Sequence, residues 1–253
     1  MARRVGMLVI GVVVAVVVFS LLTGASAFIE GNDPVAPTGG DDRSVVATHT
    51  TLHLDRTGRP TVVGEVINRG GEPITDVEVT VTFFSDGETV GEASGTVIRT
   101  PIPDQRRSPF DLRLTESVEQ LPDDYSVSVD YDSYDGPIYG ELRSSDVRII
   151  RQSQDSIELV GEVHNDGDRT VERPRVVAVF YSENGSVIGV RSTRPSPSEL
   201  RPRESGVFRL TFRTLGDIPS LARQYDSHRI IVFASPEERS GTRVTLRPEG
   251  VLG

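Results

Sequence analysis

Val63-Gly64-Glu65-Val66-Ile67-Asn68 returns later in the chain as Val160-Gly161-Glu162-Val163-His164-Asn165. The offset is 97 residues, and it holds outward from this core. Ile74 falls on Val171, Val79 on Val176, and Phe83-Phe84-Ser85-Asp86 on Phe180-Tyr181-Ser182-Glu183. Asn184 is a one-residue insertion, after which the offset is 98. Gly87 then matches Gly185, Gly91 matches Gly189, and Phe110, Leu112 and Leu114 match Phe208, Leu210 and Phe212. A shared register over this many positions marks two homologous domains.

Each copy reads as strands. Val77, Val79, Val81 and Phe83 alternate with Glu78, Thr80 and Thr82, which gives one buried and one wet face. Phe208, Leu210 and Phe212 alternate with Arg209, Thr211 and Arg213, and Val127, Val129 and Tyr131 with Ser128 and Asp130. Thr57-Gly58, Arg69-Gly70-Gly71, Asp86-Gly87, Asn165-Asp166-Gly167 and Asn184-Gly185 punctuate the runs. The pattern predicts seven strands per copy: near 47–54, 61–68, 77–84, 90–97, 109–114, 125–131 and 138–142, then near 147–153, 157–164, 175–182, 187–193, 206–213, 228–234 and 242–247. Short helical turns are expected at 115–121 and 216–224. Tyr125 and Tyr225 are placed to send a hydroxyl back to the backbone as corner tyrosines. The fold class is therefore all-β, two tandem Ig-like antiparallel sandwiches, with Arg143–Asp146 as the short link between them.

The run Gly-Glu-Val-x-Asn, a turn, alternating Val, an aromatic pair and a Gly turn resembles the FxLYD-type domain of exported bacterial and archaeal proteins. The resemblance covers about 61–114 and 158–212. Its motif falls on Val81, Phe83, Phe84 and Ser85, and on Ala178, Phe180, Tyr181 and Ser182. Only the aromatic position matches well, and Ser stands in both copies where the family closes on Asp. The resemblance implies an Ig-like sandwich on an exported protein and no particular activity.

The N-terminus explains how such domains would be held. Val5–Leu22 is 18 residues without a charge, about 27 Å as a helix, close to the hydrocarbon thickness of a bilayer. Arg3 and Arg4 precede it, and Glu30, Asp33, Asp41 and Asp42 follow, which predicts a cytoplasmic N-terminus and extracellular domains on a single-pass protein. Ala25-Ser26-Ala27 fits a cleavage site, so a signal peptide removed after Ala27 stands as the alternative to an anchor. The expected organisation is 1–27 anchor or signal, 28–46 acidic spacer, 47–143 first repeat and 146–249 second repeat.

All 27 basic residues are Arg, against 37 acids, and the net charge is −10. Mutation pressure from a GC-rich genome and selection for a weakly hydrated cation each account for missing Lys; with the acidic excess the pattern points to a halophile of haloarchaeal type, with codon bias alone as the alternative. Residues 28–146 hold 9 Arg and 23 acids, whereas 147–253 hold 16 Arg and 14 acids. With no Cys there is no disulfide, thiolate nucleophile or thiolate metal ligand.

Catalytic motifs are sparse. No Gly-x-Ser-x-Gly elbow occurs, and His164 falls where copy one has Ile67, a strand position and not a base. His49 and His53 would share a metal on a helix, but on a strand they stand about 13 Å apart. Asp130-x-Asp132-x-x-Asp135-Gly136 misses the register of a calcium loop, although an irregular calcium site there is left open. No phosphate loop and no basic–aromatic nucleic-acid surface is present, and no cofactor is implied. Asn184-Gly185-Ser186 is a glycosylation sequon on a predicted hairpin tip. Arg209 and Arg213, with Arg191 and Arg194 in nearby segments, form a candidate face for an anionic surface protein or glycan. The expectation is a binding or scaffolding module with no catalysis of its own. An envelope hydrolase with an unrecognised carboxylate site and an accessory subunit of a membrane complex are the alternatives.

Overall fold

A computed structural model describes residues 29–30, 44–55, 57–136, 142–153, 156–213 and 224–234. The described chain is all β. No helix among the described residues is long and apolar enough to cross a membrane, and Val5–Leu22 lies outside them. So do 137–141, 214–223 and 235–253, and with them two of the expected strands and the second expected helical turn.

The first repeat contains β1 (Ile29–Glu30), β2 (Val45–Leu54), β3 (Pro60–Asn68), β4 (Ile74–Ser85), β5 (Glu88–Thr96), β6 (Arg107–Arg113) and β7 (Asp124–Ser133). One sheet runs β1-β2-β3-β6 and the other β5-β4-β7, all antiparallel. The second repeat contains β8 (Leu142–Gln152), β9 (Ser156–Asn165), β10 (Val171–Glu172), β11 (Arg175–Ser182), β12 (Val187–Thr193), β13 (Glu199–Leu200), β14 (Ser205–Arg213) and β15 (Tyr225–Phe233). Its sheets run β14-β9-β8 and β12-β11-β15, with β10 and β13 paired apart. The two repeats thus share one strand order, the short β1 aside.

Two boundaries differ from the sequence reading. Arg143–Asp146 lies inside β8, where Leu142 pairs with Asn165 and Ser145 with Glu162, so it is not a link between domains. Part of the expected spacer, Ile29–Glu30, pairs with Leu52 and Thr51. Segment 115–121 holds bends and no helical turn.

The repeat extends to the backbone. His49 (φ 54°) and Asp146 (φ 52°) sit at matching bulges in β2 and β8; Asp76 and Arg173 (both 47°) match, as do Gln105 (56°) and Arg203 (67°). Asn68 and Asn165, both fully buried, make the same clamp. Asn68 Nδ2 donates to the carbonyls of Glu72 (2.7 Å) and Ile102 (3.0 Å), and Asn165 Nδ2 to those of Arg169 (2.7 Å) and Leu200 (2.9 Å). Each Asn Oδ1 also accepts from a turn amide, Gly70 or Gly167. The Gly of the repeated motif has a packing reason: a Cβ at Gly64 would lie 2.8 Å from the Phe110 ring, and one at Gly161 2.7 Å from Phe208.

Phe83 and Phe180 hold equivalent core sites, each 0% exposed. Phe83 joins side chains of both sheets in one cluster with Val62, Val79, Phe110 and Val127. Phe180 stacks on Phe212 at 4.5 Å between centroids and meets Tyr225 edge-on at 6.1 Å. The corner tyrosines differ from expectation. Tyr125 reaches the Thr50 hydroxyl (2.8 Å) across the sandwich, and Tyr225 reaches His228 Nδ1 (2.7 Å). Neither of these bonds goes to the backbone.

Candidate functional site: a buried carboxylate between the repeats

Strand β3 is buried on both faces along its whole length. Its inner residues, Val62 and Val66, face the first core, while Val63 joins Val177, Val179, Val187, Val190, Ile231 and Phe233 of the second repeat in a separate apolar cluster. The two sandwiches are therefore packed face on face. The outer side of β2-β3-β6 is covered by the outer side of β12-β11-β15. Copy two meets this demand by local substitution. Where β4 turns Thr80 and Thr82 outward, β11 has Val177 and Val179, both 0% exposed. Removing such side chains from water contributes about 25 cal/mol per Å² of apolar surface, so the seam is a substantial source of stability.

Glu65 stands in the middle of this seam and is 0% exposed. Donors converge on it from both repeats. Tyr181 Oη donates to Oε2 at 3.0 Å, and Arg229 Nη2 donates to Oε1. Arg107 Nη1 lies 3.5 Å and His49 Nδ1 3.8 Å from Oε2. His49 also meets the Tyr181 ring edge-on at 6.4 Å. A carboxylate withdrawn from water is costly unless its lone pairs are filled, and here both oxygens have cationic or hydroxyl donors. Burial, and after it the Glu65 charge, raise the Tyr181 phenol pKa, so Tyr181 stays a hydrogen-bond donor. At the rim of the seam Arg191 Nη1 approaches Asp111 Oδ2 at 3.9 Å.

The matching residue of copy two, Glu162, has a different setting. It is half-exposed on the outer face of β14-β9-β8, with His164 Nε2 at 3.6 Å. His164 is a strand residue, as expected, bridged by the hydroxyls of Ser145 and Ser205 at 2.6 Å each. One repeated glutamate thus serves as a latch in the first copy and as surface in the second.

The residues singled out from sequence are dispersed. Arg209 and Arg213 point outward from β14, and Arg209 Nη1 pairs with Glu158 at 2.9 Å. Arg191 does not extend that face. It belongs to β12 in the other sheet, beside Asp111, with its guanidinium carbon 5.1 Å from the Phe212 ring centre. Arg194 is exposed just past β12, and Asn184 is exposed at the β11–β12 hairpin tip, its Oδ1 accepting from Ser186 N at 3.0 Å. His49 and His53 serve separate neighbourhoods. Asp130, Asp132 and Asp135 are exposed, and no group of three His, Asp or Glu that could hold a metal ion occurs among the described residues.

His53 gives the seam a pH dependence. Burial, reinforced by Arg191, lowers its pKa from 6.5 to about 4. Between those values the unfolded chain takes up a proton that the folded one refuses. Stability is therefore full above pH 6.5 and falls by on the order of 3 kcal/mol as the pH drops to 4. His228, also lowered by burial, adds to the loss, whereas Asp111, raised by desolvation, opposes it at the acid end. In a pH series of denaturant melts, His53→Gln should flatten this window. An unchanged slope would assign the proton to another group.

No family model matches the chain, and a search of curated proteins finds no match. Among solved structures, red sea bream transglutaminase is similar over 74% of this chain and 31% of its own, at 11% identity and a TM-score of 0.23. A β-glucuronidase of Bacteroides uniformis is similar over 62% of this chain and 22% of its own, at 11% identity and a TM-score of 0.25. A putative β-galactosidase from Bacteroides fragilis is similar over 70% and 32%, at 9% identity and a TM-score of 0.23. The chain spans about a third or less of the length of these proteins, and likeness at this level carries no functional argument.

Proposed function

We propose that the protein is a membrane-anchored, extracellular binding or scaffolding module of FxLYD-like kind from a halophile, without catalysis of its own. The observation that carries this reading is the use made of the charge cluster around Glu65. Glu65, Tyr181, Arg229, Arg107 and His49 bind the repeats to each other, and the carboxylate at their centre is sealed from solvent. A hydrolytic carboxylate has to meet substrate and water; this one meets neither. The hydrolase alternative therefore needs another carboxylate, and the accessory-subunit alternative is the scaffolding role carried out inside a complex.

In this reading Val5–Leu22 spans the membrane, the rigid pair of sandwiches stands outside it, and Asn184 carries a glycan at its hairpin tip. The partner-facing surface is the outer side of β14-β9-β8, where Arg143, Arg148, Arg151, Arg209 and Arg213 are all exposed. At molar salt the Debye length shrinks to about 3 Å, so recognition has to come from contact, with Arg forks engaging carboxylate or sulfate groups. Replacing Arg209 and Arg213 together by Gln should lower retention of the protein on cell envelopes at native salt by about tenfold, with the fold intact by circular dichroism. Unchanged retention would remove this face from the binding reading.

A further inference from the structure

We infer that the partner of this face is a second copy of the chain, stacked so that the outer side of β14-β9-β8 of one molecule seats on the outer side of β5-β4-β7 of the next. The inference rests on the binding-module reading and names its partner.

The arrangement already exists once within the chain. The first repeat's β2-β3-β6 face packs on the second repeat's β12-β11-β15 face. By repeat equivalence, β14-β9-β8 is the second copy of the first of these faces, and β5-β4-β7 is the first copy of the other. Among the described residues, none packs over the outer side of either sheet. A contact of two different faces is heterologous, and repeating it extends an assembly in one direction.

The charges on the two open faces are complementary. The outer side of β5-β4-β7 presents Glu78, Glu92, Asp130 and Asp132 around a strip of Thr80, Thr82, Ser126 and Ser128, with no Arg on these strands. The opposite open face carries the five exposed Arg against the acids Glu158, which pairs with Arg209, and Glu162, so it keeps a basic excess. The reversal is local as well as general. In the seam Asp111 stands near Arg191, next to Val190 on the same strand. In the open faces the position of Asp111 holds Arg209, and that of Val190 holds Glu92. Anion and cation have changed sides, so the pairing keeps its sense.

The stacked contact is the weaker one. Tyr181 and Arg229, which hold Glu65, are replaced by Phe84 and Ser126 at the matching positions of copy one, and Val177 and Val179 by Thr80 and Thr82. Each face is polar enough to stay in water, so association is reversible and depends on concentration at the membrane surface.

The test uses the full-length chain in detergent micelles, at a salt concentration where circular dichroism shows it folded. Sedimentation should show a mass that rises with concentration. Arg148→Glu with Arg209→Glu should weaken this association at least about tenfold, and so should Glu78→Arg with Glu92→Arg. Mixing the two variants should restore it, because each then presents the face the other lacks. A wild type that stays monomeric at all concentrations overturns the proposal, and so does association indifferent to both reversals. If either occurs while the Arg209/Arg213 substitutions still release the protein from envelopes, the binding face stands and its partner is another anionic molecule.

Discussion

Truncating Phe180 to Ala is expected to cost about 3–5 kcal/mol and to lower the melting temperature by on the order of 10 °C. The ring is 0% exposed and lies between Phe212 and Tyr225, so its loss removes a stacked pair and an edge contact and leaves a cavity that two rigid sheets cannot close. Phe83→Ala should cost a similar amount in the first repeat, where Phe83 touches a single cluster drawn from both sheets. A chain of this kind has only about 5–15 kcal/mol of stability in all. Thermal melts of the full-length variants measure the effect. A melt unchanged by Phe180→Ala would mean that the ring is not a core element.

Glu65→Ala is expected to be nearly as costly, for a different reason. The substitution leaves Tyr181 without its acceptor and sets Arg229 and Arg107 facing one another in the seam without an anion. Removing one member of a buried charge cluster costs about 3–5 kcal/mol; the two guanidiniums keep some access to water, at 36% and 33% exposure, which puts the loss near the lower end. The penalty belongs to the abandoned cations more than to the lost attraction. Replacing Glu65 and Arg229 together by Leu should therefore cost less than the sum of the single replacements, by roughly 1–3 kcal/mol of coupling. Additive losses, measured by denaturant melts, would show that Glu65 and Arg229 do not act as a pair.

The parts of the fold visible in the sequence were those written in side-chain polarity. Val79, Val81 and Phe83 alternate with polar residues, and the structure buries the first set and half-exposes the second. The repeat offset carried this reading to Phe180 and to the buried Asn165, whose clamp on Arg169 and Leu200 copies that of Asn68. The Gly of the motif was legible as a repeat but not as a contact, because the phenyl ring resting on it comes from a strand 46 or 47 residues later.

Other features of the fold are not encoded in polarity. His49 and Asp146 both take a positive φ at a bulge, but neither is Gly, so nothing in the residue type marks the site. That bulge lets β8 run on from Leu142 to Gln152, through the segment expected to link the repeats. Arg191 follows a run facing the seam and lies near Arg209 in sequence, yet their strands belong to different sheets.

The seam itself had a signal. Val176–Tyr181 is an unbroken apolar run where copy one alternates, and such a run is the mark of a strand buried on both sides. The corresponding strand in the first repeat was harder to see, because the outward face of β3 carries Glu65, which in isolation reads as a wet position. Its burial depends on Arg229 and Tyr181, more than a hundred residues away, and no local pattern announces a partner at that distance.

Joined through the Glu65 seam, the two repeats are expected to behave as one rigid body. The absence of Cys from the chain allows clean placement of two labels, at Glu116→Cys and Asp168→Cys, both exposed and outside the seam. Spin-label distances between them, measured in full-length protein diluted with unlabelled chain, should form one narrow distribution that broadens when Val179→Asp puts a charge into the seam. A broad distribution in the otherwise unaltered chain would contradict the account, since it would mean two sandwiches moving independently on a tether.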